Sequence, residues 1–184
     1  MKFTAINLLL LLLVLSCKSP EPREPVSRKS GSFIKEVAAR NKQLVAQEEE
    51  IIRELMAKNP QREYITSPSG FWYYYEKEDT LNTYTPEFGD LVEFDYDLKT
   101  LEGEVIYSDE ELPTRTYAVD QEELFTGLRE GLKLMNEGET VTFLFPSHKA
   151  YGFYGDKNRI GSHVPVISTV TLHKITKDHK NQNK

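Results

Sequence analysis

The side chains of this chain with the means to do chemistry are mostly rings. Aromatic residues gather in FWYYY at 71–75 and recur at Tyr96, Tyr107, Tyr117, Phe125 and Tyr151. Hydrolytic and metal chemistry have thinner support. His148, His163, His173 and His179 lack zinc-ligand spacing and have no acidic partner at helical spacing. No serine lies in a nucleophile-elbow sequence. We therefore expect neither a metal nor a cofactor. Each ring taken singly also suits a β-sheet core, so the rings become a site only if the fold gathers them. The one cysteine is a different case. Val14-Leu15-Ser16-Cys17 has the small and aliphatic residues that precede a lipidated cysteine in a bacterial lipobox, and Cys17 is the only cysteine in the chain. The chemistry expected there is acylation at a new N-terminus, and a lone thiol excludes an internal disulfide.

The elements that would position these residues can be read in order. Residues 1–16 carry Lys2 and an apolar run from Leu8 to Leu15, the length of a signal-peptide core rather than of a lasting membrane anchor. Removing Lys2 takes the 23 basic side chains to 22 against 29 acidic, and the net charge from −6 to −7. Such acidity argues against a nucleic-acid partner and against adhesion to anionic lipid by charge. Membrane residence should rest on acyl chains at Cys17. Residues 17–31, including KSPEPREPVSRKSG, read as a solvated Pro-rich tether reaching about 40 Å at about 3.1 Å per residue.

Residues 32–59 follow as one long amphipathic helix. Ser32 is its predicted N-cap, apolar residues recur from Phe33 to Met56, and Pro60 ends it. Val37, Leu44 and Ile51 lie seven apart, as do Val45 and Ile52, a partial heptad. That stripe needs a cover, either the chain's own domain or a second copy pairing through the 33–58 helix. A domain over 64–177 follows, with strands predicted at 71–76, 91–98, 114–119, 139–145 and 164–175, where apolar residues keep a period of two. One short helix is predicted at 126–135, closed by Asn136-Glu137-Gly138. Residues 178–184 read as a polar tail. Strands around a single short helix argue an α+β domain with an antiparallel sheet curled over the helix.

The ordered series SGFWYYYE, GDLVEFDYDL, EGEVIYSD, FTGLREGLKLMNEGE, FPSHKAYGFYG and VPVISTVTLHKI resembles the FK506-binding-protein (FKBP) family of peptidyl-prolyl isomerases. The likeness is to its bacterial, envelope-targeted branch. The layout of lipobox, tether, helix and isomerase domain is also similar to the gliding-motility-associated FKBP-type lipoproteins. The resemblance implies an FKBP-like sheet around one helix and a pocket for a prolyl residue. On the family's pattern, Tyr96 and Tyr151 line the pocket, and the Tyr151 hydroxyl donates to the substrate carbonyl. Leu128 falls at the floor. Tyr117 is a second pocket aromatic, Leu124 and Phe125 form a wall, and Ile160 leans over the proline. Trp72 belongs to packing or surface.

Three positions depart from the pattern. Tyr107 stands where an aspartate is expected at the pocket edge, with Asp109 two residues on as a replacement. Arg115 takes the place of an aromatic, and so does Ser168. The resemblance thus implies an isomerase of X-Pro segments, lipid-anchored in the bacterial envelope, with the outer membrane favoured, that helps client proteins fold. The departures keep open a non-catalytic FKBP-like binding module or a dimeric chaperone.

Overall fold

The computed structural model describes residues 30–178. The expected signal segment, Cys17, the tether as far as residue 29 and the tail beyond Asp178 lie outside the described residues. The chain divides into two units, 1–39 and 40–184. In the first, the described residues 30–39 are the opening turns of helix α1 (Ser30–Ala57), and the side chains of 33–39 are exposed. Because α1 already begins at Ser30, Ser32 lies inside it and is not its N-cap. At the other end the Asn59 side-chain amide donates to the Leu55 carbonyl at 2.9 Å and closes the helix before Pro60.

The second unit holds the remaining elements: β1 (Ile65–Ser67), β2 (Phe71–Lys77), β3 (Leu91–Tyr96), β4 (Leu98–Lys99), β5 (Val105–Tyr107) and β6 (Arg115–Ala118). Helix α2 (Thr126–Leu132), β7 (Thr140–Phe145), a 3-10 turn (Ser147–Lys149) and β8 (Val166–Thr176) complete it. All strand pairs are antiparallel. The order is β1-β2-β7-β8-β3-β6, and β4 bridges β8 to β5. The architecture is α+β, as the strand and helix pattern predicts.

Side-chain alternation along β2 and β7 sorts the rings to opposite faces of the sheet. Phe71, Phe143 and Phe145 face the main core, with ring centroids 5.2–5.9 Å apart. Short α2 lies on them, burying Leu128 and Leu132 completely. It approaches so closely because Gly127 has no Cβ: one added there would stand 2.5 Å from the Phe145 ring and 2.8 Å from the Lys149 carbonyl oxygen. On the other face Trp72, Tyr74 and Leu144 pack against Ile52 of α1, and the Arg53 guanidinium lies 5.8 Å from the Trp72 ring. The buried face of α1 is therefore Glu48 and Ile52, with Leu55 and Met56 partly covered. Of the positions spaced by seven, Ile52 is buried, Leu44 and Val45 are partly covered, and Val37 and Ile51 are exposed. The sheet thus covers the Val45 and Ile52 series and leaves Val37 and Ile51 exposed.

Candidate functional site

Tyr96 closes β3, where its backbone pairs with Val170 of β8 and its ring tilts against Phe94 at 5.6 Å. Across β6, Arg115 sends Nη2 to the Glu123 carbonyl at 3.0 Å. That bond ties the sheet edge to the segment ending in Leu124 and Phe125. Phe125 sits just before α2 in extended backbone. Its ring meets Phe145 edge-on at 5.5 Å and tilts against Tyr151 at 5.1 Å. Tyr151 itself follows the 3-10 turn. The Gly152 N–H donates to the Ser147 carbonyl at 2.8 Å, and the Gly152 carbonyl accepts from His163 N–H at 2.9 Å, so the backbone on either side of the tyrosine is fixed.

These residues line one cleft of about 480 Å³. Tyr96, Leu124, Phe125 and Tyr151 form its apolar wall; Arg115, Arg129, Glu122 and Glu123 form a mixed-charge rim. Burial pushes the Tyr151 phenol well above the ordinary tyrosine range, and nearby Tyr96, Asp156 and Tyr107 add to the shift. The phenol stays protonated at physiological pH, and no described side chain accepts from it. It is a ready O–H donor facing an aromatic cleft.

The edge of the cleft is built differently. Gly155 takes φ +62° in a position where a Cβ would come within 2.1 Å of the Ile160 carbonyl oxygen. This turn presents Asp156, whose Oδ1 accepts the N–H groups of Asn158 and Ile160, both at 2.8 Å. Its Oδ2 accepts the Tyr107 hydroxyl at 2.5 Å, and the Asn158 amide donates to the same phenol oxygen at 2.9 Å. Arg159 then grips β5. It donates to the Ile106 carbonyl at 2.7 Å, forms a bidentate pair with Glu111 at 3.0 Å per bond and lies 4.7 Å over the Tyr107 ring. Desolvation would raise the Asp156 carboxyl, but donation from Tyr107 and from the backbone N–H groups outweighs it and holds the group below its ordinary 3.8.

Of the residues predicted for the site, the fold brings Tyr96, Leu124, Phe125 and Tyr151 together and leaves four others elsewhere. Tyr117 is 0 % exposed, with its oxygen accepting from Asp120 N–H at 3.0 Å; it is a core residue because β6 turns it inward. Leu128 is likewise wholly buried beneath α2 and shows no surface to the cleft. Ile160 is 3 % exposed and packs into the main core rather than leaning over the cleft. Asp109 lies past the end of β5, exposed, and accepts the N–H of its neighbour Glu110. It does not replace the missing acid. Tyr107 stands at the cleft edge as a partner of Asp156, and Ser168, in place of a ring, donates to the Asp97 carbonyl at 2.8 Å while fully buried. Sequence reasoning missed Asp156 and Arg159. The Gly-Asp-x-Asn series at 155–158 is a turn signature that could have drawn attention to the acid.

A family model described as FKBP-type peptidyl-prolyl cis-trans isomerase matches residues 82–173, which is half of the chain. Among solved structures, a peptidyl-prolyl cis-trans isomerase from Pseudomonas syringae pv. tomato str. DC3000 is similar with a TM-score of 0.60 at 18% identity, covering 74% of this chain and 96% of that one. FkpA from Escherichia coli is similar with a TM-score of 0.59 at 20% identity, covering 96% and 82% respectively. At these identities the two structures speak for the fold. Comparison with curated proteins gives no match.

Proposed function

The chain belongs to the FKBP-type peptidyl-prolyl cis-trans isomerase family, and from that premise we propose how its cleft works and where in the cell it acts. The reaction must weaken the partial double bond of an X-Pro imide, whose rotation barrier is about 18–20 kcal/mol. A thousandfold acceleration asks for only about 4 kcal/mol of preferential binding of the twisted imide. The twisted form is less polar than the planar one, so a dry aromatic wall favours it. Tyr96, Phe125 and Tyr151 supply that wall, and the Tyr151 O–H donates to a substrate carbonyl and fixes the prolyl segment. The observation that carries this reading is the protonated Tyr151 hydroxyl, free of any described acceptor, beside two further rings.

The test is exchange spectroscopy on an X-Pro peptide. Wild type should accelerate interconversion, and Tyr96→Ala should abolish most of the effect by opening the wall to water. Tyr151→Phe keeps the ring and loses the donor, so it should cost about tenfold in kcat/KM, the worth of roughly 1.4 kcal/mol. A fully active Tyr96→Ala would remove the cleft from consideration.

The proposed setting is the bacterial envelope. The lipobox ending in Cys17, the preceding apolar segment and the Pro-rich tether support a lipoprotein held at a membrane, with the outer membrane favoured, where it would assist folding of emerging envelope proteins. The order of segments supports placement beside the gliding-motility-associated lipoproteins of the family, with clients in that machinery. Cys17→Ser should release the protein from membranes on fractionation; continued sedimentation with them would exclude a lipid anchor at this residue. Velocity sedimentation of the lipid-free protein distinguishes a monomer from a homodimer through the 33–58 helix.

A further inference from the structure

Glu48 is a charged residue on a helix that precedes the family domain, yet it is only 7 % exposed. Both carboxylate oxygens are engaged by one residue 99 positions later: Oε2 accepts the Ser147 N–H and Oε1 accepts the Ser147 hydroxyl, each at 2.7 Å. Ser147 is 1 % exposed and is the first residue of the 3-10 turn that delivers Tyr151. That turn has no side-chain cap from its own N-cap residue, Pro146, so its first N–H finds its acceptor on α1. The Ser147 carbonyl in turn accepts the N–H groups of Ala150 at 3.0 Å and Gly152 at 2.8 Å, the residues on either side of Tyr151. One residue thus receives the helix carboxylate and fixes the backbone that carries the phenol.

We propose that Glu48 is a positioning residue for the isomerase reaction, and that docking of α1 sets the Tyr151 hydroxyl in the cleft through Ser147. This rests on the isomerase reading given above. Charge-assisted bonds of this length, shielded from water, hold geometry more tightly than neutral ones. Packing by Ile52 alone would hold the helix on the sheet without specifying the turn. The latch therefore makes a helix outside the matched family region, residues 82–173, part of the active domain.

The test separates positioning from stability. Glu48→Gln keeps the shape of the side chain and removes its charge; Val92→Ala removes buried volume from β3 without touching α1 or the turn. Both are compared with wild type at a temperature where urea titration shows all three folded. Two readouts are taken: kcat/KM on an X-Pro peptide, and the ring resonances of Tyr151 in tyrosine-labelled protein, assigned with Tyr151→Phe. Glu48→Gln should lower kcat/KM about tenfold and shift the Tyr151 resonances, while Val92→Ala stays within about twofold and leaves them in place. Equal behaviour of the two variants overturns the latch. If Glu48→Gln does not fold, Ser147→Ala, which loses the hydroxyl bond and keeps the N–H bond, should shift the same resonances by a smaller amount; unmoved resonances overturn the proposal. A wild type without activity whose Tyr151 resonances still respond to Glu48→Gln would overturn the isomerase reading and leave the latch standing.

Discussion

The wall of the cleft and its edge are held by opposite kinds of force. Phe125 and Tyr151 rest on the buried Phe145 and Phe143 rings and pack against the main core, so their placement is inherited from it. Tyr107, Asp156 and Arg159 at the edge are held by hydrogen bonds and an ion pair near solvent, where each contact contributes little net stability. The contrast teaches that in this molecule stability and fine placement are divided between regions. Loss of a core side chain beneath the wall should destabilise the domain most, whereas damage to the Asp156 loop should leave it folded and alter the surroundings of Tyr151.

The largest expected effect tests the core on which the wall rests. Leu128→Ala should cost about 2–5 kcal/mol of unfolding free energy, because a side chain with no exposed surface leaves a cavity beneath α2. Urea denaturation measures it, and an unchanged midpoint with a fall in kcat/KM would return Leu128 to the cleft surface. Next comes Gly127→Ala, for which the better helix propensity of alanine is outweighed by contacts at 2.5 Å and 2.8 Å with Phe145 and Lys149. A net loss of about 1–2 kcal/mol is expected, and a stabilised protein would show that α2 can lift from the sheet at no cost.

At the edge, Asp156→Asn should change stability by about 1 kcal/mol or less, yet broaden the amide resonances of residues 156–160 and slow turnover severalfold. If the loop amides are unmoved, the carboxylate does not organise the edge. The smallest effect is with pH. Asp156 is depressed in the folded state, so its contribution is present above the ordinary carboxylate value of 3.8 and is lost only as pH falls through the lower folded value. Tyr151 is raised, so its proton is kept through the ordinary 10.0 and lost only as pH rises through the higher folded value. Activity should therefore be flat from about pH 5 to 9, and a midpoint inside that range would assign the reaction to a different titrating group.

Much of the fold is legible in the sequence because strand and helix periodicities report burial locally. Val141, Phe143 and Phe145 alternate toward one face in the pattern and in the structure, and α2 occupies the predicted short helix, though it ends at Leu132 rather than Met135. Elements of three residues, namely β1, β5 and the 3-10 turn, are too short to show any period. The helix is instructive in the other direction. Its spacing by seven takes in the buried Ile52 together with the exposed Val37 and Ile51, and it passes over Glu48, since a buried carboxylate looks polar until its acceptor role toward Ser147 is known.

The site divides in the same way. Local pattern and family likeness together identify Tyr96, Leu124, Phe125 and Tyr151, which meet in one cleft. They also nominate Tyr117, Leu128, Ile160 and Asp109, which do not line it. Ring and leucine positions are ambiguous in sequence because the same side chains build cores and pocket walls. What the sequence by itself determined is the class of fold, since that depends on residue type and short-range period. Only the tertiary structure decided which rings face the cleft, which acid binds Tyr107 and which helix side chain holds the turn, because those contacts join residues 26 to 99 positions apart.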